Sequence, residues 1–144
     1  MIGRVGLVIL GVLAATATLG AAMVLPVLGA HQQALKEQPR VQSLVETVVA
    51  GEIAARGTHG GYHLIPFGSS DPGIALGTND RAAIADYAVE ARQVSDDRFR
   101  IQAWPRPSAL DRGRAAAVSY FVELSSDGKV LAQGWAGKDG DSDE

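Results

Sequence analysis

The sequence predicts an α+β fold: a long N-terminal helix, membrane anchor followed by an amphipathic half, packed on a 3–4-stranded antiparallel sheet. Three observations predict it. Val5 to Ala30 carries no charged side chain and is longer than the roughly 20 residues a helix needs to cross a bilayer core. Apolar residues then recur at 41, 44, 45, 48, 49 and 53, the spacing of one helix face. From Asp86 onward, short alternating segments are separated by turn signals.

The uncharged run has two readings. Arg4 and the free amine make a positive start, and Ala15-Thr16-Ala17 or Gly20-Ala21-Ala22 would serve as a signal-peptide cleavage site. Cutting there would leave Met23-Val24-Leu25-Pro26-Val27-Leu28 as an apolar mature terminus, so an uncleaved signal anchor over 1–30 is expected. Lys36 and Arg40 nearly balance the positive start, so the positive-inside rule decides little. The acidic remainder after a signal-like start favours a domain outside the cytoplasm, on a single-pass anchor in the inner (cytoplasmic) membrane.

A net charge of -3 with scattered Lys and Arg argues against a nucleic-acid partner. The absence of cysteine removes thiol nucleophiles, thiolate metal sites and lipidation on Cys, and leaves a domain without disulfides to rely on its core.

An amphipathic helix is expected over 31–57. Gln, Ala, Leu, Lys and Glu favour it, and Gly57, Gly60 and Gly61 end it. Pro26 and Pro39 predict kinks, or a break into two helices at Pro39, because each removes a donor and clashes with the carbonyl four residues back. Gln42, Ser43, Glu46 and Thr47 fall off the apolar stripe. Glu52 falls on it, projecting between Val41, Val45 and Val48. It is expected either to pair with Arg56, four residues on, or to contact a partner or an arginine of the globular part.

A loop-rich antiparallel sheet domain is expected over 58–136. Tyr62 to Phe67 reads as a short edge strand limited by Pro66, and Asp71-Pro72-Gly73 as a turn. Residues 80–94 are ambiguous. Thr78 or Asn79 would cap a helix, whereas Ala85, Tyr87, Val89 and Ala91 would share a strand face; a strand from Asp86 to Val94 after a helical turn is preferred. Arg98 to Trp104 alternates as a half-buried strand stopped by Pro105 and Pro107, and Ser108 to Arg114 reads as a loop. Ala116 to Leu124 and Lys129 to Trp135 form a hairpin around Asp127-Gly128. The acidic stretch 137–144 reads as a disordered tail.

No catalytic, cofactor or metal residue is expected. His59 and His63 have a zinc-like spacing on a helix, but Gly60-Gly61 lies between them. Ser108 and Ser119 lack a nucleophile elbow, and GTHGGY lacks the Lys-Ser/Thr ending of a phosphate loop. Trp104 and Trp135 read as core or rim aromatics. The expected interaction residues are therefore Glu52, Val41, Val45 and Val48 on the amphipathic half. Gly11, Ala15, Thr18 and Ala22 would add a small-residue face on the anchor.

The order of VILGVLAATA, the prolines at 26 and 39, DYAVEARQVSDDRFRIQAWP and VSYFVELSSDGKVLAQGW resembles the type IV pilin and pseudopilin superfamily. The resemblance is one of layout. MIGRVGLVIL contains Gly3 and Gly6, and no Glu precedes Glu37, where the family's processing signal would have one early in the mature chain. It implies a non-catalytic, membrane-anchored structural or assembly component of a filament or secretion system. Its partners would be membrane lipid and other transmembrane or pilin-like proteins, with no small-molecule substrate. A single-pass accessory subunit of an inner-membrane complex is the alternative.

Overall fold

The computed structural model describes residues 2–69 and 71–136, with the side chains of the first helix described from Gly29 onward. The anchor's side chains and the acidic tail of 137–144 thus lie outside the described residues. The chain divides into two compact units, Met1–Gln33 and Ala34–Glu144. The class is α+β, with one long helix and a four-stranded antiparallel sheet.

Helix α1 runs Ile2–His59. It runs on through Pro39 as one helix, so the alternative of two helices with a break there does not hold. Pro39 and Leu35, whose carbonyl loses its donor, are both exposed, so the vacated hydrogen bond costs little there. The helix stops at Gly60, whose φ of 77° only glycine adopts without strain and whose N–H closes on the Arg56 carbonyl at 2.9 Å.

An irregular connection follows. The edge strand expected at Tyr62–Phe67 reduces to one antiparallel bridge, Ile65 with Ala91, made by two hydrogen bonds of 3.0 Å. Pro66 has no N–H with which to extend it. Helix α2, Thr78–Asp86, passes directly into strand β1, Tyr87–Ser95. The ambiguous stretch is therefore helix to Asp86 and strand beyond it. Gly77, not Thr78 or Asn79, is the N-cap, with no side-chain cap bond. Ala85, grouped above with the strand face, is an exposed residue of α2.

Strand β2 spans Arg98–Pro105, β3 spans Ser119–Ser125 and β4 spans Val130–Ala136, in the sheet order β1-β2-β3-β4. Between β2 and β3 the expected loop contains a short helix, α3, Pro107–Asp111. Pro107 opens it, its fixed φ suiting the first helical turn, where the missing donor is not needed. Register aligns one apolar face: Val89 opposite Ala103, Ala91 opposite Ile101, Ile101 opposite Val122 and Phe99 opposite Leu124. The β3–β4 turn depends on Gly128 at φ 86°.

One buried cluster includes Val41, Leu44, Val45 and Val48 together with Tyr87, Val89, Phe99, Ile101, Tyr120, Val122 and Leu124. Val118 is only partly buried beside it. Ile53, read above as part of the stripe, is 38% exposed, because the buried face continues through Glu52 instead. On the opposite sheet face, Glu123 is buried between Arg100, at 2.6 Å, and Arg98, at 3.3 Å.

Candidate functional site

The residues that join α1 to the rest of the Ala34–Glu144 unit form the candidate site. At 100° per residue, positions 37, 41, 45, 48 and 52 fall within one narrow stripe. Val41, Val45 and Val48 are fully buried and enter the common cluster, as does Leu44. The stripe begins and ends on a carboxylate: Glu37 and Glu52 are both buried. The small residues Gly11, Ala15, Thr18 and Ala22 lie outside the described side chains.

Glu52 makes no pair with Arg56. The Arg56 Nε donates to the Ser126 carbonyl at the β3–β4 turn instead. That distant carbonyl pulls the guanidinium away from the helix axis, which spacing along α1 alone does not reveal. No arginine of the sheet meets Glu52 either; Arg98 and Arg100 pair with Glu123 on the other face. Glu52 is 0% exposed. Its Oε2 accepts the backbone N–H of His63 at 2.6 Å, and its Oε1 has no hydrogen-bond partner. Burial pushes the carboxyl pKa above the usual range, while the His63 N–H and the charge of the His63 ring pull the other way.

The other end of the stripe is fully connected. The Tyr87 hydroxyl donates to Glu37 Oε2 at 2.9 Å and accepts the Ala116 N–H at 3.0 Å. Arg40 reaches Glu37 at 3.0 Å and Asp86 at 2.7 Å, and also donates to the carbonyls of Ala82 and Arg114. Arg114 Nε lies 3.4 Å from Asp86. Burial pushes the Tyr87 phenol well above its ordinary range, and the hydrogen bond to Glu37 adds to this. Nothing in the sequence marks Arg40 and Asp86 as partners. They stand 46 residues apart, and only the helix-to-strand junction at Asp86–Tyr87 brings them together.

A third attachment uses two residues that lie off the stripe, as expected. Ser43 and Thr47 donate to the buried Asp80 of α2 at 3.1 and 2.6 Å. Thr47 is consequently half-buried rather than solvated. An acidic residue in the first turn of α2, where the helix dipole favours negative charge, is a signal that would have drawn attention to Asp80.

Beside these attachments lies a cleft of about 530 Å³, lined by Thr47, Gly51, His59, His63, Gly73 and Ile74 among others. His59 and His63 thus share one cleft although α1 ends at His59. Among the described residues, no group of three or more His, Asp or Glu is arranged to hold a metal ion. Ser119 is engaged structurally: its hydroxyl donates to the Ala103 carbonyl and accepts from Gln102. Trp135 stacks at a tilt on Tyr120, and Trp104 meets Phe67 edge to face.

Among the described residues, no helix is long and apolar enough to cross a membrane. No family model, no curated protein and no solved structure matches the chain.

Proposed function

We propose that this protein is a non-catalytic, membrane-anchored structural or assembly component, similar to a minor pilin or pseudopilin, with its α+β part outside the cytoplasm. One observation carries the reading: Val41, Leu44, Val45 and Val48 of α1 share a buried cluster with the apolar residues of β1, β2 and β3. On this reading the second half of α1 lies along the sheet, and the uncharged stretch Val5–Ala30 is the anchor. Two elements that each have one apolar face hide both by facing each other. The polar contacts fit the same role. Glu37, Arg40, Asp86, Asp80 and Glu123 are each committed to a partner within the unit, which suits a scaffold. Membrane lipid and other transmembrane or pilin-like proteins are then the partners.

The test is expression of the full chain, tagged at its C-terminus, in a bacterial cell. The expected result is a chain of uncleaved mass in carbonate-washed inner membranes, with the tag open to protease from the periplasmic side. In-cell crosslinking should capture pilin-like neighbours. A mature chain beginning at Thr18 or Met23 and recovered in the soluble fraction would overturn the anchor. Crosslinking into one stable membrane complex, with no pilin-like neighbour, would instead make the chain an accessory subunit.

A further inference from the structure

We propose that Glu52 is a proton-dependent latch that, when neutral, holds the connection following α1 against the helix and, when ionised, lets it open. The geometry carries this. Glu52 is fully buried at the end of the stripe that follows Val41, Val45 and Val48, and unlike Glu37 at the other end it has no cation beside it among the described residues, so an uncompensated carboxylate there is costly. Its single hydrogen bond is from the backbone of His63, in the connection itself, and its second oxygen has no partner.

Among the described residues no cation forms an ion pair with it. On α1, Arg56 is turned to the Ser126 carbonyl. From the connection, the Tyr62 phenol donates to the Ser125 carbonyl, and Tyr62 stacks on Phe99 of β2 at 4.6 Å between ring centres. Among the described residues of the connection, the His63 ring is the group whose charge acts on Glu52, and it favours the ionised form. At the β3–β4 turn, Asp127 adds a second negative group near Tyr62, whose phenol it disfavours ionising, as Glu52 does. On β2 and β3, Arg98, Arg100 and Glu123 are paired with one another.

Ile65 anchors the connection in the core, with Ile74 packed against it, and among the described residues its other hydrogen bonds to the rest of the unit are few. Ile65 bridges Ala91, Tyr62 reaches Ser125, and Arg106 donates to the Ser69 carbonyl at 3.2 Å. His63, Gly73 and Ile74 of the connection also line the 530 Å³ cleft against α1, so release of His63 reshapes that cleft. Burial raises the carboxyl pKa above its value in an opened connection. The latch is therefore fully engaged below the ordinary carboxylate range and weakens as pH rises through the raised value.

The experiment uses the full chain carrying ¹³C-labelled glutamate carboxyl groups. It follows the Glu52 carboxyl by NMR and the exchange of the His63 and Ile65 amides, corrected for intrinsic rate, across the pH range. Expected is a Glu52 titration displaced upward from about 4.3, with amide protection falling about tenfold per pH unit from there until the carboxyl has titrated. Glu52→Gln retains an oxygen for the His63 N–H and cannot ionise, so its protection should not vary with pH. His63→Gln retains the backbone donor but not the ring charge and should move the Glu52 titration further upward. A Glu52 carboxyl titrating at the ordinary value, or wild type and Glu52→Gln sharing one pH profile, overturns the latch. If Glu52→Gln does not fold, the wild-type carboxyl titration and amide profile decide alone: coincidence supports the latch, and independence overturns it.

Discussion

Val48 is the sharpest test of whether α1 covers the sheet. It is 0% exposed and belongs to the cluster that holds Ile101 and Val122. Val48→Ala removes two methyl groups, worth about 1.6 kcal/mol at roughly 0.8 kcal/mol for each buried carbon. The unfilled space adds a further cost, giving about 2–3 kcal/mol in total. For a unit of about 100 residues, each kcal/mol moves the melting temperature by roughly 4–8 °C, so a fall on the order of 10 °C is expected. Val48→Asp should cost more, because it buries a carboxylate one helical turn from Glu52 with no cation to meet it. The matched control is Ala50→Asp, which is exposed on the same helix and should stay within about 0.5 kcal/mol of wild type. Thr47 is unsuitable, since a carboxylate there would face Asp80. Thermal melts of the full chain, followed by the fluorescence of Trp104 and Trp135, provide the readout. If Val48→Asp and Ala50→Asp melt alike, the stripe does not cover the sheet, and α1 must direct that face at a partner helix.

Further outcomes are expected elsewhere. Tyr87→Phe removes the donor to Glu37 and the acceptor for the Ala116 N–H, and should cost about 1–3 kcal/mol in a denaturant melt. Gly51→Ala and Gly57→Ala both improve helix propensity by up to about 1 kcal/mol. A β-carbon at Gly57 meets nothing within 4 Å, whereas at Gly51 it would clash with the Ile74 side chain. Gly57→Ala should therefore raise the melting temperature and Gly51→Ala should fail to do so. Gly128→Ala forces a side chain into a φ of 86° and should destabilise the β3–β4 hairpin by about 1–2 kcal/mol, read as faster amide exchange in β4.

The elements built from local chemistry were legible in the residues themselves. Arg98 to Trp104 alternates, Asp127-Gly128 makes a tight turn, and Gly60 halts α1; in each case the deciding interactions lie within a few residues. The valines at 41, 45 and 48 were legible as a buried face for the same reason, since helical period alone aligns them. Pro39 left a break open as an alternative because a proline's cost depends on whether the carbonyl it orphans is solvated, and Leu35 is exposed. Residues 80–94 stayed ambiguous because an alanine-rich run suits either state; the junction falls where Asp86 meets Arg40 and Tyr87 meets Glu37. Glu52 stood out in the sequence as a charge on an apolar stripe, but its partner did not, because Arg56 is drawn to the carbonyl of Ser126, 70 residues away. Periodicity and turn chemistry act over a few residues and determine which face is apolar. Which donor meets each buried carboxylate depends on residues that are far apart in sequence, and only the folded chain brings them within hydrogen-bonding distance.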